Sequence, residues 1–600
     1  MKREKRKTEF TTPSLDLAGH RRWVETDGKE GSRLVLRGAD LVGADFSGSF
    51  LRGADLTDAH LRYAVFTRAD LADADLTGAD LQGADLTQAD LRRARLRDTV
   101  FHDATLATAD LSEATNLLGG QLSGSNLAGA KLPASLGDFE AMGNVTEASK
   151  TTQNLFASIL LVCSYTWLTI ASTTDPQLLN NAAPPASRLP ILGTDIPLVR
   201  FYLVAPLLLV CLYVYFHLCL QRLWEELADL PAIFPDGRPL DKKAYPWLMN
   251  VVVRAHLPRL SGDRSNLSRW QARMSILLGW GLVPMTILIL WLRYLRGHDA
   301  VGTAAHVVML AASVATGVGF LSLAATTLKG SEKRPFLWRQ AWGDARARSF
   351  GAGVAALVLF STLSYGAIAG VNPDASDRAI AVNGPVSPFS PRRFVPPLLG
   401  YVGISTFAQL DDVNLSTKPA NWVSHGIGND LDAVKGADLT ERNLRHASAY
   451  NVFLVNAYMM DVDARGADFR ESDLRKCDFR RADLRGTNFR SANLEGADLR
   501  YTDMTQAKLT DAQLGKAKLK EAKLTDAQLR DAHAANADFT RADLRRADLS
   551  GADLKGADLS GADLREVVGL TQGQVDVAIH DAETRLPAGL RGTAKLAQRR

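Results

Sequence analysis

Cysteine is scarce in this chain. Cys163, Cys211, Cys219 and Cys477 are the whole complement among 600 residues. None stands at metal-ligand spacing, and no pairing pattern suggests a disulfide framework. Three fall in apolar segments and Cys477 takes a place usually held by alanine, so all four read as small buried hydrophobes. Catalytic signatures are missing too. There is no H-E-x-x-H, G-x-x-x-x-G-K-[ST], G-x-S-x-G or C-x-x-C. The common metalloprotease, nucleotide-binding, hydrolase and redox readings therefore fall away. No catalytic, cofactor-binding or metal-binding residue is assigned, no cofactor is expected, and the chain reads as not an enzyme. Strong charge imbalance is also absent: the net charge is +4, which says little about partners.

Charge is missing where it matters most. Charged residues make up 23% of the chain, yet five windows contain none: 151–174, 201–221, 274–292, 300–328 and 349–373. Each is long enough to cross about 30 Å of hydrocarbon as a helix. Tyr165, Trp167, Tyr202, Trp280, Trp291 and Tyr294 supply aromatic residues, several near the expected interfaces. Transporters and pumps usually place ionisable groups inside their spans. Here only His217 and His306 qualify, each alone on its helix, so the unit reads as an anchor and spacer. Ala311, Ala315 and Gly319 lie four apart, as do Gly366 and Gly370, a spacing that allows close helix contact. Packing within the chain is the expected use.

What the chain has in abundance is a five-residue period. From Leu36 to Leu111 all sixteen positions spaced by five are Leu or Phe, and from Leu439 to Leu564 the same holds for 21 of 26. Ala usually stands two before, as at Ala39, Ala44, Ala54, Ala59 and Ala64. Five fits neither a helix at 3.6 nor a strand at 2. A short fixed period implies stacked units, none of which buries its apolar face alone. Four five-residue sides close a square coil of about twenty residues, with Leu or Phe inward and coils stacked about 4.8 Å apart.

The motif, as in Ala79-Asp80-Leu81, Ala84-Asp85-Leu86, Ala547-Asp548-Leu549 and Ala552-Asp553-Leu554, resembles that of the pentapeptide-repeat proteins, A-(D/N)-L-x-x. The resemblance implies two right-handed quadrilateral β-helices, here flanking an α-helical transmembrane unit. The phase slips by one after Leu111, and Ala449, Met459, Ala464, Met504 and Ala534 depart from the central Leu or Phe. These read as tolerated packing variations, with small voids or shifted neighbours expected at Ala464 and Ala534.

The aspartates just before each inward Leu read as turn residues bonding backbone, not as metal or acid–base clusters. Residues twenty apart stack on one face. One column reads Arg445, Arg465, Arg485, Thr505, Thr525, Arg545, Arg565, beside Asp463, Asp483, Asp503, Lys523, Asp543, Asp563. Residues 436–565 hold 22 basic and 22 acidic groups, net zero; residues 34–134 hold 9 and 14, net −5. Lys508, Lys516, Lys518, Lys520 and Lys523, with Arg480 and Arg500, form the candidate interaction patch. Thr571 with Gln574 matches a capping box opening a helix over about 572–582, which would cover the open end of the second solenoid. A helix over about 139–154 is expected to run from the first solenoid into the first span.

The expected organisation is therefore a basic flexible tail over 1–33, a solenoid over 34–134 and a linking helix over 135–150. A transmembrane unit of about five helices over 151–373 follows, with a polar loop at 222–273. A Pro-rich linker over 374–435, a second solenoid over 436–570 and a capping helix and tail over 571–600 complete the chain. The tail, with Lys2, Arg3, Lys5, Arg6 and Lys7, offers contact with anionic lipid or nucleic acid but reads better as solvated. No apolar run follows it, so no cleaved secretion signal is expected. Residues 245–256 read as an amphipathic helix on the membrane surface or against the first solenoid. Lys and Arg number nine in 222–273 and six in 329–348, against two each in 175–200 and 293–299. The richer loops belong in the cytoplasm. This predicts a multi-pass protein of the bacterial inner (cytoplasmic) membrane, with the first solenoid cytoplasmic and the second extracytoplasmic. The uncharged stretch 394–410 is a weaker candidate for a sixth span, being broken by Pro396, Pro397, Gly400 and Gly403.

The function expected is that of a membrane-anchored, non-enzymatic scaffold with membrane lipid and an unknown protein as partners, and no nucleic acid. Two rivals remain. Some proteins of the resembled family mimic DNA and regulate gyrase, which calls for a strongly negative rod that the neutral second solenoid does not offer. A transporter or channel component calls for polar pore-lining residues.

Overall fold

A computed structural model describes residues 16–136, 139, 141–179, 187–188, 195–196, 198–244, 266–297, 299–328, 335–368, 407–419, 422 and 430–591. Residues 1–15 of the basic tail, the 245–256 segment and residues 394–406 of the sixth-span candidate lie outside them; the rest of the segment expected to be a flexible tail instead holds the helix Leu17–Glu25. The chain divides into two units, one of Met1–Cys163, Leu209–Met285 and Ala312–Gly353, the other of Ser164–Leu208, Thr286–Ala311 and Val354–Arg600.

In the first unit the five-residue period closes into stacked coils. Parallel bridges link residues twenty apart, such as Asp70 to Asp90 and Asp90 to Asp110. The bridges are single residues rather than strands, because a turn occupies the rest of each side. The Leu81 carbonyl accepts from the Ala84 N–H at 3.0 Å, and Gly83 between them has φ 68°. One left-handed residue at the third turn position is the signature of a type II turn. The next coil is reached through bonds such as Leu81 N–H to the Val100 carbonyl, 2.8 Å. Leu51 to Leu111 at the central positions are fully buried.

Both ends of this stack are covered. The helix Leu17–Glu25 places His20 so that its Nδ1 accepts from the Leu34 N–H at 3.0 Å. At the other end the phase slip lengthens the step to 21, pairing Thr105 with Asn126 and Asp110 with Lys131. The Gln121 amide fills the bonds that the inserted residue opens, donating to the carbonyls of Leu96 and Thr99 at 2.7 and 2.9 Å. Residues after the second apolar helix then add a last rung. Ile233 bridges Asn126, its carbonyl accepts from Leu127 at 2.9 Å, and Phe234 meets Phe139 edge-on.

In the second unit the coils run from Asp438 to Arg585 by the same steps, and residues 407–416 supply an earlier rung. Gln409 bridges Ser448 and Asn414 bridges Phe453. The stack thus reaches into the segment read as a Pro-rich linker. It also passes the boundary at 570. The capping box at Thr571 and Gln574 is formed, but its helix is Gln572–Val577, shorter than the sequence suggests. It stops there because Ile579 pairs with Asp558 and Arg585 with Asp563, which returns the chain to the coil. At the opposite end Leu179, on the short helix Asp175–Leu179, packs into the same core as Ala408 and Leu410.

Among the described residues five helices are long and apolar enough to cross a membrane: Met142–Ser172, Arg200–Ala228, Trp270–Gly297, Ala300–Thr327 and Gly343–Ile368. The first continues a helix that starts at Ala141, and the fifth one that starts at Pro335. In the first unit a Cβ on Gly319 would stand 3.1 Å from Ser349, whose hydroxyl donates to the Ala315 carbonyl at 2.7 Å. The small-residue stripe is therefore used for packing within the chain. In the second unit Trp167 donates to Thr286 at 3.1 Å and Trp291 to Ser364 at 3.0 Å. The cysteines need correction. Cys163 and Cys477 are buried, but Cys219 is half-buried and Cys211 exposed, because that face of the second helix is not covered by the chain itself.

Candidate interaction surface

Many aspartates before an inward residue turn the carboxylate onto the backbone two residues on. Asp75 accepts from the Thr77 N–H at 3.1 Å and Asp548 from the Ser550 N–H at 3.0 Å. This is the Asx geometry that favours Asp in turns. Where Arg follows the inward residue, its guanidinium closes on the same carboxylate. Arg480 grips Asp478 at 2.8 and 2.6 Å, and Arg500 grips Asp498 at 2.7 and 2.6 Å. Such forked pairs are the strong form of a charged hydrogen bond.

The acidic and basic columns are therefore joined into a ladder. Arg445 donates to Asp463 at 2.6 Å, Arg465 to Asp463 at 2.9 and 2.8 Å, and Arg485 to Asp483 at 2.8 and 2.5 Å. The charges are satisfied internally. The Arg545 guanidinium holds the Asp543 carboxyl below its usual range, and Arg565 does the same for Asp563. Asp463 moves the other way, because burial outweighs its Arg445 partner.

The sequence-derived patch does not form one surface. Lys508, Lys516, Lys518 and Lys523 are exposed, while Lys520, Arg480 and Arg500 are half-buried. Lys508 bridges Asn488 and Gln528, whereas Lys518, half a coil away, bridges Asp498 and Asp538. Lys523 bridges Asp503 and Asp543 on the adjoining side. Two of the lysines thus interrupt columns of carboxylates, which relieves like-charge repulsion. Lys516 and Lys523 approach Glu495 and Asp503 only to 3.9 Å. Arg480 and Arg500 are taken by their own aspartates.

Four polar residues at the small inward position share one solution. Thr99, Ser472, Cys477 and Thr487 donate to the carbonyls of Leu76, Ala449, Leu454 and Ala464 at 2.8, 2.8, 2.9 and 2.9 Å. Burial pushes the Cys477 thiol far up. Sequence reasoning missed a further group at the near end of this solenoid. Asp175 accepts from Arg293, from Arg296 at 3.4 Å and from the Gln409 N–H at 2.9 Å. Of the two span histidines, His306 bonds the Gly302 carbonyl at 2.8 Å, while neither ring nitrogen of His217 has a partner. Among the described residues no cluster of His, Cys, Asp and Glu has the make-up of a metal site.

The family model for pentapeptide repeats matches in eight copies, at residues 39–78, 51–88, 74–113, 437–475, 454–490, 465–500, 487–526 and 527–566. The chain belongs to the pentapeptide-repeat family. The fold this family implies is a right-handed β-helix solenoid. Solved pentapeptide-repeat structures match part of the chain. HetL of Nostoc sp. strain PCC 7120, a protein involved in heterocyst differentiation regulation, is 24% identical over 32% of this chain and 85% of its own, with a TM-score of 0.21. A pentapeptide repeat protein of the Arabidopsis thaliana thylakoid lumen is 43% identical over 16% of this chain and 66% of its own, with a TM-score of 0.15. QnrB1, a plasmid-mediated fluoroquinolone resistance protein, is 22% identical over 25% and 78%, with a TM-score of 0.18. No curated protein matches the chain.

Proposed function

We propose that this pentapeptide-repeat protein is a membrane-anchored, non-enzymatic scaffold of the bacterial inner membrane. Its two right-handed solenoids flank five spans, the first in the cytoplasm and the second outside. The observation that carries this reading is which loops each solenoid holds. With five crossings, the loop after the second span shares a side with the start of the first span. That loop supplies the Ile233 rung to the first solenoid. The loops after the first and third spans share the other side, where the fifth span ends. On that side Asp175, just after the first span, accepts from the Gln409 N–H at the start of the second solenoid and from Arg293 and Arg296 at the end of the third span. Connectivity and docking agree for five spans. A sixth span over 394–410 would need Leu410, which lies in the core of the coil.

The distribution of Lys and Arg, nine and six in the loops of one side against two and two in the other, supports the cytoplasmic assignment. A long, rigid face with its charges internally paired suits a docking surface for protein better than a copy of duplex DNA, which carries one charge per about 1.7 Å. Lys516, Lys518 and Lys520 on one side of the coil are the proposed contact lysines. Cross-linking with the whole protein in its membrane tests this. Partners captured by wild type and lost with K516E/K518E/K520E support the scaffold; a capture pattern unchanged by these variants contradicts that surface.

A further inference from the structure

The five uncharged windows end differently on the two sides. On the side assigned above to the cytoplasm the flanking charged residues are Lys150, Arg222, Arg273, Lys329 and Arg348. On the other side they are Asp175, Arg200, Arg293, Asp299 and Asp374. One boundary is wholly basic; the other sets three carboxylates against two arginines. The structure separates the two sets further. Asp175 takes Arg293 in a buried ion pair, and Asp299 accepts from the Tyr294 hydroxyl at 2.6 Å. In the first unit Arg222, Arg273 and Arg348 are exposed, and none makes a hydrogen bond or an ion pair among the described residues. Carboxylates lie within reach on the same helices. Glu226 follows Arg222 by four residues, and Asp344 precedes Arg348 by four. That spacing allows pairing on a helix surface, yet neither pair closes. Trp270 stands one turn before Arg273 and is exposed, and the exposed Met274 and Leu277 continue its face into the third apolar helix. An indole beside a cation, above an exposed apolar strip, suits the level where a helix leaves hydrocarbon for headgroups.

We propose that Arg222, Arg273 and Arg348, with Trp270, bind anionic phospholipid headgroups of the cytoplasmic leaflet. The inference rests on the membrane reading above and adds the class of lipid. A guanidinium at the end of a span needs a counter-charge, and no carboxylate of the protein supplies one here. The acceptor that a bilayer offers at this level is phosphate, which arginine holds through two parallel N–H bonds. The aliphatic stem of each arginine lies against apolar surface while its head reaches the phosphates. A zwitterionic headgroup brings its own ammonium beside the phosphate. An anionic one does not, so the unpaired cations favour the anionic class. An acidic protein segment would satisfy the same charges, but its binding would not follow the lipid composition.

Electron spin resonance of spin-labelled lipids tests this on the full-length protein in vesicles of phosphatidylcholine mixed with phosphatidylglycerol. The protein is expected to hold labelled phosphatidylglycerol at its surface in preference to labelled phosphatidylcholine. R222Q/R273Q/R348Q should cut that preference by about fivefold or more, fivefold being the worth of one cation at an anionic surface. R200Q, at the other boundary, should leave it unchanged. Unchanged association of phosphatidylcholine shows that the triple variant is folded and inserted. Independently of any variant, added salt should weaken the preference of wild type. Equal holding of both lipids by wild type, or a preference undiminished in the triple variant, would overturn the proposal alone. If neither lipid is held at all, the membrane reading falls with it.

Discussion

Asp175 and Arg293, 118 residues apart, meet as a buried ion pair with side chains 5% and 13% exposed. The same guanidinium donates to the Thr173 carbonyl at 2.7 Å, and the second carboxylate oxygen takes the Gln409 N–H. One carboxylate thereby ties a rung of the second stack of coils to the end of the third apolar helix and to the segment after the first.

Removing Asp175 leaves a buried guanidinium and a backbone donor unpaired. D175A is expected to cost about 3–5 kcal/mol, the range for breaking a buried pair. R293A should cost a similar amount, and the double variant much less than the sum. Unfolding of the full chain in detergent, followed through a double-mutant cycle, measures the coupling. Simple additivity would mean the pair does not act as a unit.

Inward and outward positions of the coil should respond in opposite ways. Leu519 is fully buried and Lys520 half-buried. L519K forfeits about 1.5–3 kcal/mol of apolar burial and adds the cost of a buried charge. K520L is expected to stay within about 0.5 kcal/mol of wild type. Equal losses in thermal unfolding would contradict the register.

The register itself was legible because the five-residue period is written on every repeat. The five long apolar helices were legible from the missing charge. Other elements were not read, for physical reasons. The rung at 407–416 carries the motif in Ala408-Gln409-Leu410 and Val413-Asn414-Leu415. Its partner Ser448 is 39 residues on rather than twenty, so an excursion breaks the period. Ala232-Ile233-Phe234 is a single repeat, too short to stand out, and it joins its stack only through the fold. The rings around His217 were not legible, because Trp280 and Phe320 come from two other helices and join Tyr213 and Phe216 only in the fold. The lysines of the patch are close in sequence, but Lys508, Lys518 and Lys523 fall on different sides of a coil, which only the closed turn reveals.

Cys477 should be chemically silent in the folded protein. Its thiol is buried, bonded to the Leu454 carbonyl, and held far above the usual thiol range by burial. Since the thiolate is the reactive form, a water-soluble disulfide reagent is expected to modify Cys477 only on unfolding. Rapid native labelling, located by mass spectrometry, would contradict this.

Acid should weaken the second solenoid through its Arg–Asp forks. Hydrogen bonds from Arg545 and Arg565 depress Asp543 and Asp563. A carboxylate depressed in the folded state adds stability above its unfolded value, near 3.9, and that stability drains away as pH falls through the folded value. Below about pH 4 the melting temperature should fall more in wild type than in D543N/D563N. Parallel acid profiles would show that the forks contribute nothing.

The most direct test of the account is the side of the membrane on which the second solenoid lies. Reporter fusions after Asn372 and after Asp430 read it in living cells. The account predicts active alkaline phosphatase at both positions, because five spans place both outside. A cytoplasmic-type signal at Asp430 would contradict it.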